Sequence, residues 1–140
     1  MKIERVAILA VMSVVLSGNN ALAESKAERK IENLFQKALA EEFTAGREII
    51  VSLVQVPPNT TLQRHWHPGE EFHYVLEGET ELVIDGQPTI LETPGKVSHV
   101  PYKKMHTVVT KNKGVKVLVF RVHTKGEPVR YLEQGGTEEK

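Results

Sequence analysis

The chain of 140 residues contains no cysteine. Disulfide bonds and thiolate metal ligands are therefore excluded. Acidic and basic residues are also balanced, with 18 of each kind and a formal net charge of zero. A neutral chain has no electrostatic attraction for nucleic acid or for an anionic membrane. We therefore expect the mature protein to bind neither.

Long apolar runs are scarce too. The longest, from Val6 to Leu16, is almost unbroken but covers only eleven residues, whereas a helix needs about 20 to span a bilayer. A basic start precedes this run, and the small residues Ala21 and Ala23 follow it. This order is typical of a bacterial secretory signal peptide. We predict cleavage after residue 23 and a periplasmic or secreted protein, in preference to a buried N-terminal helix.

Residues 24–43 predict an amphipathic helix. Ile31, Leu34, Phe35 and Ala38 recur at helical spacing, with Lys and Glu between them. A glycine, Gly46, follows the expected end. We expect the apolar stripe to pack against the domain or against a second copy of the chain.

Residues 44–132 have a β pattern and form one expected domain. Short β-branched segments are separated by turn dipeptides such as Asp85-Gly86, a strong signal for a two-residue hairpin. The strand candidates are residues 48–56, 62–67, 71–76, 79–84, 88–91, 97–100, 106–110 and 115–123. Strands of this number and length predict an all-β sandwich or barrel. We expect the polar residues 133–140 to form a flexible tail.

A cluster of possible metal ligands begins in the second candidate strand. His65 and His67 are two residues apart, so both imidazoles project from one face of a strand while Trp66 projects from the other. A turn at Pro68-Gly69 follows, and Glu71 is the next residue able to reach the same point. Together with His106, this set suits one divalent transition metal, whether Fe, Mn, Ni, Cu or Zn.

The spacing of these residues resembles the two motifs of the small single-domain cupins. The run His65-x-His67-x3-Glu71-x6-Gly78 resembles the first motif, and Gly95-x5-Pro101-x-Lys103-x2-His106 resembles the second. The resemblance implies a jelly-roll β-barrel, also called a double-stranded β-helix, with a metal inside it. It also implies the ligand set His65, His67, Glu71 and His106.

Three positions depart from the family pattern. Asn59 stands where the first motif usually begins with Gly, and Asn tolerates a left-handed backbone. Lys103 stands at a Gly position of the second motif, where a positive φ costs Lys more. We therefore expect the turn that delivers His106 to differ from that of the family. Thr110 replaces a peripheral Asn.

Further polar residues are candidates for catalysis. His73 lies two residues beyond Glu71 and points to the same side of a strand, so the pair is our candidate for acid–base catalysis beside the metal. The alternative for His73 is a hydrogen-bonded core or rim histidine. His99 and Tyr102 are weaker candidates for lining the cavity, and His123 is expected to be structural or exposed.

Two functions fit this reading. The first is an exported metalloenzyme, with dioxygen-dependent oxidation of a small chelating organic molecule as the reaction type that the resemblance favours. The second is a non-catalytic module that binds or senses a small molecule or a metal. An enzyme requires an open cavity beside the metal, whereas bulky neighbours such as Phe72, Tyr74 or Tyr102 would close a storage site. In either case we expect a homodimer, because exposed strand edges need covering.

Overall fold

The computed structural model describes residues 28–134 and 137–138, and all regular elements within them are β-strands. The eleven strands are β1 Lys30–Ala38, β2 Arg47–Val56, β3 His65–Trp66, β4 Gly69–Gly78, β5 Thr80–Ile84, β6 Ile90–Glu92, β7 Val97–Val100, β8 His106–Val109, β9 Val115–Thr124, β10 Arg130–Leu132 and β11 Thr137–Glu138. The predicted all-β fold is confirmed, and most strand bounds lie within a few residues of those expected.

The strands form two antiparallel sheets. One has the order β1-β2-β9-β4-β7 and the other the order β11-β10-β3-β8-β5-β6. Strands that are neighbours in the sheets are mostly distant in sequence, as in a jelly roll. The sheets enclose an apolar core, to which the first contributes Val54, Val75 and Val117 and the second Leu82 and Ile84.

Strict alternation of side chains explains why the long central strands form. Along β2 and β9, buried residues alternate with partly exposed ones over ten residues each. The two strands pair without a break from Arg47 opposite Thr124 to Val56 opposite Val115. A shift by one residue would turn every buried valine toward solvent, so this pattern specifies the register.

The predicted N-terminal helix is wrong for the residues that the structure describes. Lys30–Ala38 forms the edge strand β1, which pairs with β2 over its whole length. A bulge between Asn33 and Phe35 interrupts the alternation: Asn33 pairs with Ser52, but Phe35 pairs with Val51. One extra residue turns the later side chains to the opposite face. Ile31, opposite Val54, and Phe35, opposite Val51, therefore lie on different faces of the sheet, although their spacing suits one face of a helix. Residues 24–27 of that prediction lie outside the described part.

Both motif positions where the family usually has glycine adopt a left-handed backbone in the structure. Asn59 has a φ of 52° and Lys103 a φ of 58°, so Lys103 adopts the conformation that its glycine counterpart would adopt. At Gly78, where φ is 77°, a Cβ atom would lie 1.9 Å from the carbonyl oxygen of Gly114. Only glycine fits this close approach between two chain segments.

The predicted signal peptide, residues 1–23, lies outside the described residues. Within the described part, no helix has the length and apolarity needed to cross a membrane.

Candidate metal centre

Three buried histidines meet between the two sheets. His65 in β3 and His106 in β8 are direct cross-strand partners, and His67 follows two residues after His65. The ring centroids lie 4.3 Å apart for His65 and His106, 5.0 Å for His65 and His67, and 5.2 Å for His67 and His106. One ring nitrogen from each lies within 4.8 Å of the others. The expected convergence of these three imidazoles is confirmed.

Backbone carbonyls orient all three rings. The Nδ1 atoms hydrogen-bond to the carbonyl oxygens of Gln63 at 2.7 Å from His65, Val129 at 2.6 Å from His67, and Lys104 at 3.0 Å from His106. A carbonyl oxygen only accepts, so each Nδ1 carries the proton and donates it. Each Nε2 is left with a lone pair, which is the arrangement that metal-binding histidines need.

The geometry around His67 fits a bound cation. Its Nε2 atom lies 3.0 Å from Oε2 of Glu71 but has no hydrogen-bond partner within the described residues. A lone pair facing a carboxylate at this distance is unfavourable unless a positive charge lies with them. The Nε2 atom of His106 lies 3.6 Å from Oε1 of the same carboxylate. The residues therefore fit a divalent metal.

Burial keeps His65 and His67 neutral and ready to bind a metal. Removal from water, with smaller contributions from neighbouring His106 and His67, lowers the pKa of His65 to about 2. Burial also lowers the pKa of His67. Neutral imidazole is the form that coordinates metals, so protons do not compete for the nitrogens of these two residues in the folded protein near neutral pH.

Glu71 is held on both sides. Nε of Arg121 donates to Oε2 of Glu71 at 2.5 Å, and Nε2 of His73 lies 2.7 Å from Oε1. Burial favours the protonated acid, but the Arg121 guanidinium and the neighbouring imidazoles of His67 and His73 hold the pKa of Glu71 well below its usual range. Glu71 is thus a carboxylate at the edge of the triad, shared between the candidate metal position and two cationic groups.

His73 lies between two buried carboxylates. Its Nδ1 atom is 2.9 Å from Oε1 of Glu92, opposite its contact with Glu71, and Ser98 donates to the same Glu92 oxygen. Burial opposes protonation of the ring, but the two carboxylates outweigh it and raise the pKa of His73 to about 10. His73 is 5% exposed, so the expected interior position is confirmed.

The structure places the weaker candidates outside the cavity. His99 and Tyr102 are exposed, and His99 pairs with Glu70 at 2.5 Å. Trp66 stacks on Tyr131 with ring centroids 4.3 Å apart, on the face away from the triad as expected. His123 is fully buried, and its Nε2 atom hydrogen-bonds to the carbonyl oxygen of Pro128 at 3.2 Å, which agrees with a structural role.

An open cavity of about 210 Å³ lies against the triad and Glu71. Its apolar wall comes from both sheets: Val54, Leu62, Val108, Val117, Val119 and Val129. Its polar lining includes Ser52, His73, Glu92, Arg121 and Arg130, and Arg29, Ile31 and Asn33 of the β1 segment complete it. Tyr74 and Tyr102 are 43% and 45% exposed on the outside, so neither closes the cavity.

Arg121 is not among the predicted site residues, although the alternating pattern of β9 indicates that its side chain points inward. Val115, Val117 and Val119 alternate with outward residues, and continuing the alternation turns Arg121 inward. A buried arginine requires an acidic partner. The register provides one, because Arg121 and Glu71 are direct cross-strand partners.

Solved structures share this architecture. The DMSP lyase DddQ from Ruegeria pomeroyi DSS-3 superposes with a TM-score of 0.65 at 21% identity, over 90% of this chain and 62% of that one. The polyketide cyclase RemF from Streptomyces resistomycificus gives 0.55 at 26% identity, over 71% of this chain and 68% of that one. A cupin-like protein from Thermotoga maritima gives 0.58 at 18% identity, over 79% of each chain.

The chain spans less than two thirds of the length of the lyase DddQ. No curated protein sequence matches this one. The family signature of the Cupin domain matches residues 52–124, which is more than half of the 140 residues and includes all three histidines of the triad. The chain therefore belongs to the cupin family.

Proposed function

We propose that this cupin is a metal-dependent enzyme that acts on a small organic molecule bound inside the barrel. The observation that carries this proposal is the direction of the three Nε2 lone pairs. All three converge on one point beside an open cavity, and backbone carbonyls hold the rings that carry them. A structural metal site would be enclosed, whereas this site adjoins a cavity of about 210 Å³.

His65, His67 and His106 would hold the metal, and Glu71 is the proposed fourth ligand. When bound, a divalent transition metal supplies Lewis-acid polarisation or oxygen activation at its open positions. The protein supplies the rest: it excludes water with an apolar wall, orients the substrate, and places the carboxylate of Glu71 beside the imidazole of His73.

We propose dioxygen-dependent oxidation as the reaction, with Glu71 and His73 as the acid–base pair. The two groups are in direct hydrogen-bond contact at 2.7 Å. A proton that the substrate releases passes directly to Glu71. His73 hydrogen-bonds to Glu71 and stabilises it before and after this transfer. The carboxylate of Glu92 on the far side of the ring holds the imidazole in place for that role.

A non-catalytic binding or sensing module is the second candidate, and one observation favours it. The pKa of Glu71 lies well below its usual range because Arg121, His67 and His73 offset the effect of burial. A carboxylate of low pKa is a weak general base at neutral pH. In this case the cavity captures its ligand, and no proton transfer follows.

The solved relatives support an enzyme without selecting the reaction. One is described as a DMSP lyase and another as a polyketide cyclase. Identity of 21% to the lyase shows a common fold, and one fold hosts many reactions. Elimination and cyclisation are therefore the reactions to assay next if oxidation is not observed.

We also propose that the protein is exported and dimeric. The basic, apolar and small-residue order of residues 1–23 supports export. For the dimer, the outer face of the five-stranded sheet has an apolar row in register, with Phe35, Val51, Phe120 and Phe72 side by side. Exposed sheet faces of this kind pack on a second sheet.

A second copy is the proposed occupant of that face. An isologous dimer places the same apolar row of each copy against the other.

Oxygen consumption by the metal-loaded protein tests the proposed reaction. Protein reconstituted separately with Fe(II), Mn(II), Ni(II) and Cu(II) would be screened against phenolic and diketone substrates. The proposal expects turnover in the wild type and in His99→Ala, which removes an exposed histidine, and none in His67→Ala. Loaded protein that binds substrates without consuming oxygen would contradict the oxidation and favour the binding module.

A further inference from the structure

We infer that the ligand of the cavity is a small organic anion whose carboxylate binds to the guanidinium of Arg121 in the cavity wall. The inference deepens the proposed function and rests on it, since it names the substrate class of the same site. It is carried by the contacts of Arg121, by the charges around the cavity and by the composition of its walls.

Arg121 has N–H groups that are available to hydrogen-bond a ligand. Among the described residues it makes two hydrogen bonds, from Nε to Glu71 at 2.5 Å and from Nη1 to Ser52 at 3.3 Å. A guanidinium has five N–H groups, so three remain for a ligand. The side chain is 7% exposed, and its partners hold it at the cavity wall. Arginine fixed in this way recognises planar carboxylates through paired hydrogen bonds.

A metal on the triad would give the cavity an excess of positive charge. Arg121 and a divalent metal bring three positive charges, against the two carboxylates of Glu71 and Glu92. The whole chain has as many acidic as basic residues, so this excess is a property of the cavity. Arg29 and Arg130 also line the cavity but have interactions of their own, and the inference therefore depends on Arg121.

Buried positive charge needs a counter-charge, because uncompensated ions are costly inside a protein. Glu71 supplies only part of it, as it also faces His73 and the candidate metal position beside His67. An anionic ligand would supply the remainder when it binds, and its affinity would depend on this compensation.

The walls limit the rest of the ligand. A volume of about 210 Å³ is several times the ~30 Å³ that one water molecule occupies in the liquid, so the cavity can hold a small organic molecule. The apolar part of its wall is built mainly of valine and leucine side chains. The favoured ligand is thus a compact carboxylate with a short apolar body.

Benzoate and benzamide provide a matched pair of probes, because they have the same shape and differ in charge. Their dissociation constants would be measured by calorimetry on the full mature chain loaded with Zn(II), with the metal content determined on the same sample. We expect benzoate to bind at least about tenfold more tightly than benzamide. We expect Arg121→Gln to reduce this ratio about tenfold and Arg121→Lys to reduce it less.

A second variant of Arg121 and a control variant make the test specific. Lys37→Gln removes a charge from β1, where Lys37 pairs with Ile49 on the outer face, and should leave the ratio unchanged. If Arg121→Gln does not fold, Arg121→Lys decides the result, because it keeps a charge beside Glu71 but loses the paired donors of the guanidinium.

The possible failures are distinguishable. Protein that takes up no metal overturns the proposed function. Equal affinity for the two probes in metal-loaded protein overturns the inference alone, and so does a ratio that no folded Arg121 variant changes. A ratio that falls in the Arg121 variants but not in Lys37→Gln supports it.

Discussion

Arg121 and Glu71 form a buried ion pair in which Nε of the guanidinium lies 2.5 Å from Oε2 of the carboxylate. The two residues are direct partners across β9 and β4, so the sheet register places them together. Glu71 is 2% exposed and Arg121 is 7% exposed. The pair thus connects β9 of the five-stranded sheet to Glu71 at the candidate metal centre.

Removal of Arg121 alone should destabilise the metal-free protein strongly. We expect Arg121→Met to lower the free energy of unfolding by about 3–5 kcal/mol, because it removes one of the two cationic partners of a buried carboxylate. Urea unfolding at pH 7 measures this change. The double variant Arg121→Met with Glu71→Leu should recover most of the loss, since it removes both charges. A single variant that loses less than about 1 kcal/mol would show that the pair is not buried as described.

Stability of the metal-free protein should depend on His65 in acid. Its folded pKa of about 2 lies below the unfolded value of 6.5, so the unfolded chain binds more protons between these values and stability falls as pH drops below 6.5. One such histidine contributes about 2 kcal/mol of loss between pH 7 and pH 5.

His65→Gln therefore should lose about 2 kcal/mol less than the wild type over this pH range. Unfolding in urea with a chelator present, at pH 7 and at pH 5, measures the difference. His99→Gln serves as the control, because His99 is exposed. Identical pH dependence in His65→Gln and in the wild type would contradict a neutral buried imidazole at this position.

Lys103 retains a left-handed backbone at a position where glycine would be unstrained. Its φ is 58°, and its Nζ atom lies 5.7 Å from the Trp66 ring centroid and 5.2 Å from that of Tyr102. We expect Lys103→Gly to raise the free energy of unfolding by about 0.5–1 kcal/mol, because relief of strain outweighs the loss of these contacts. Thermal unfolding with the metal removed measures the gain.

Two neighbouring variants make this result specific. Asn59→Gly should have a smaller effect, because Asn tolerates its φ of 52° better. Lys104 does not have a positive φ, so Lys104→Gly should leave the stability of the protein unchanged or lower it. A destabilised Lys103→Gly protein would show that the ring contacts matter more than the backbone conformation.

The proposed dimer depends on the outer face of the five-stranded sheet. Phe120 is 37% exposed at the centre of the apolar row. We expect Phe120→Glu to convert the dimer into a monomer, because it places a charge within the interface on both copies. Sedimentation equilibrium of the mature protein measures the mass. Leu91→Glu changes an exposed residue of the other sheet and should leave the dimer intact; a monomeric wild type would contradict the proposal.

Much of the fold could be predicted from the sequence because burial on one face imposes alternation. Buried and more exposed side chains alternate over the ten residues of β2 and of β9, and the predicted bounds of both strands lie within one residue of those observed. The convergence of His65 and His67 followed from the same rule. For His106 the family spacing was needed, because its position opposite His65 is set by the pairing of β3 with β8, which a local pattern does not contain.

The errors have equally physical causes. β1 is exposed along its length, so no buried face imposed an alternating pattern on it. The bulge after Asn33 then changed the face that its side chains occupy. Arg121 was missed for another reason: its partner lies 50 residues away in the chain, and only the register of two central strands brings them together.

Metal content of the mature protein is the most direct test of the central claim. Wild-type protein, His67→Ala and His99→Ala would be purified in parallel without added chelator and analysed by elemental mass spectrometry. The account predicts about one equivalent of Fe, Mn, Ni, Cu or Zn in the wild type and in His99→Ala, and almost none in His67→Ala. A wild-type protein that contains no metal and takes none up on reconstitution would contradict it.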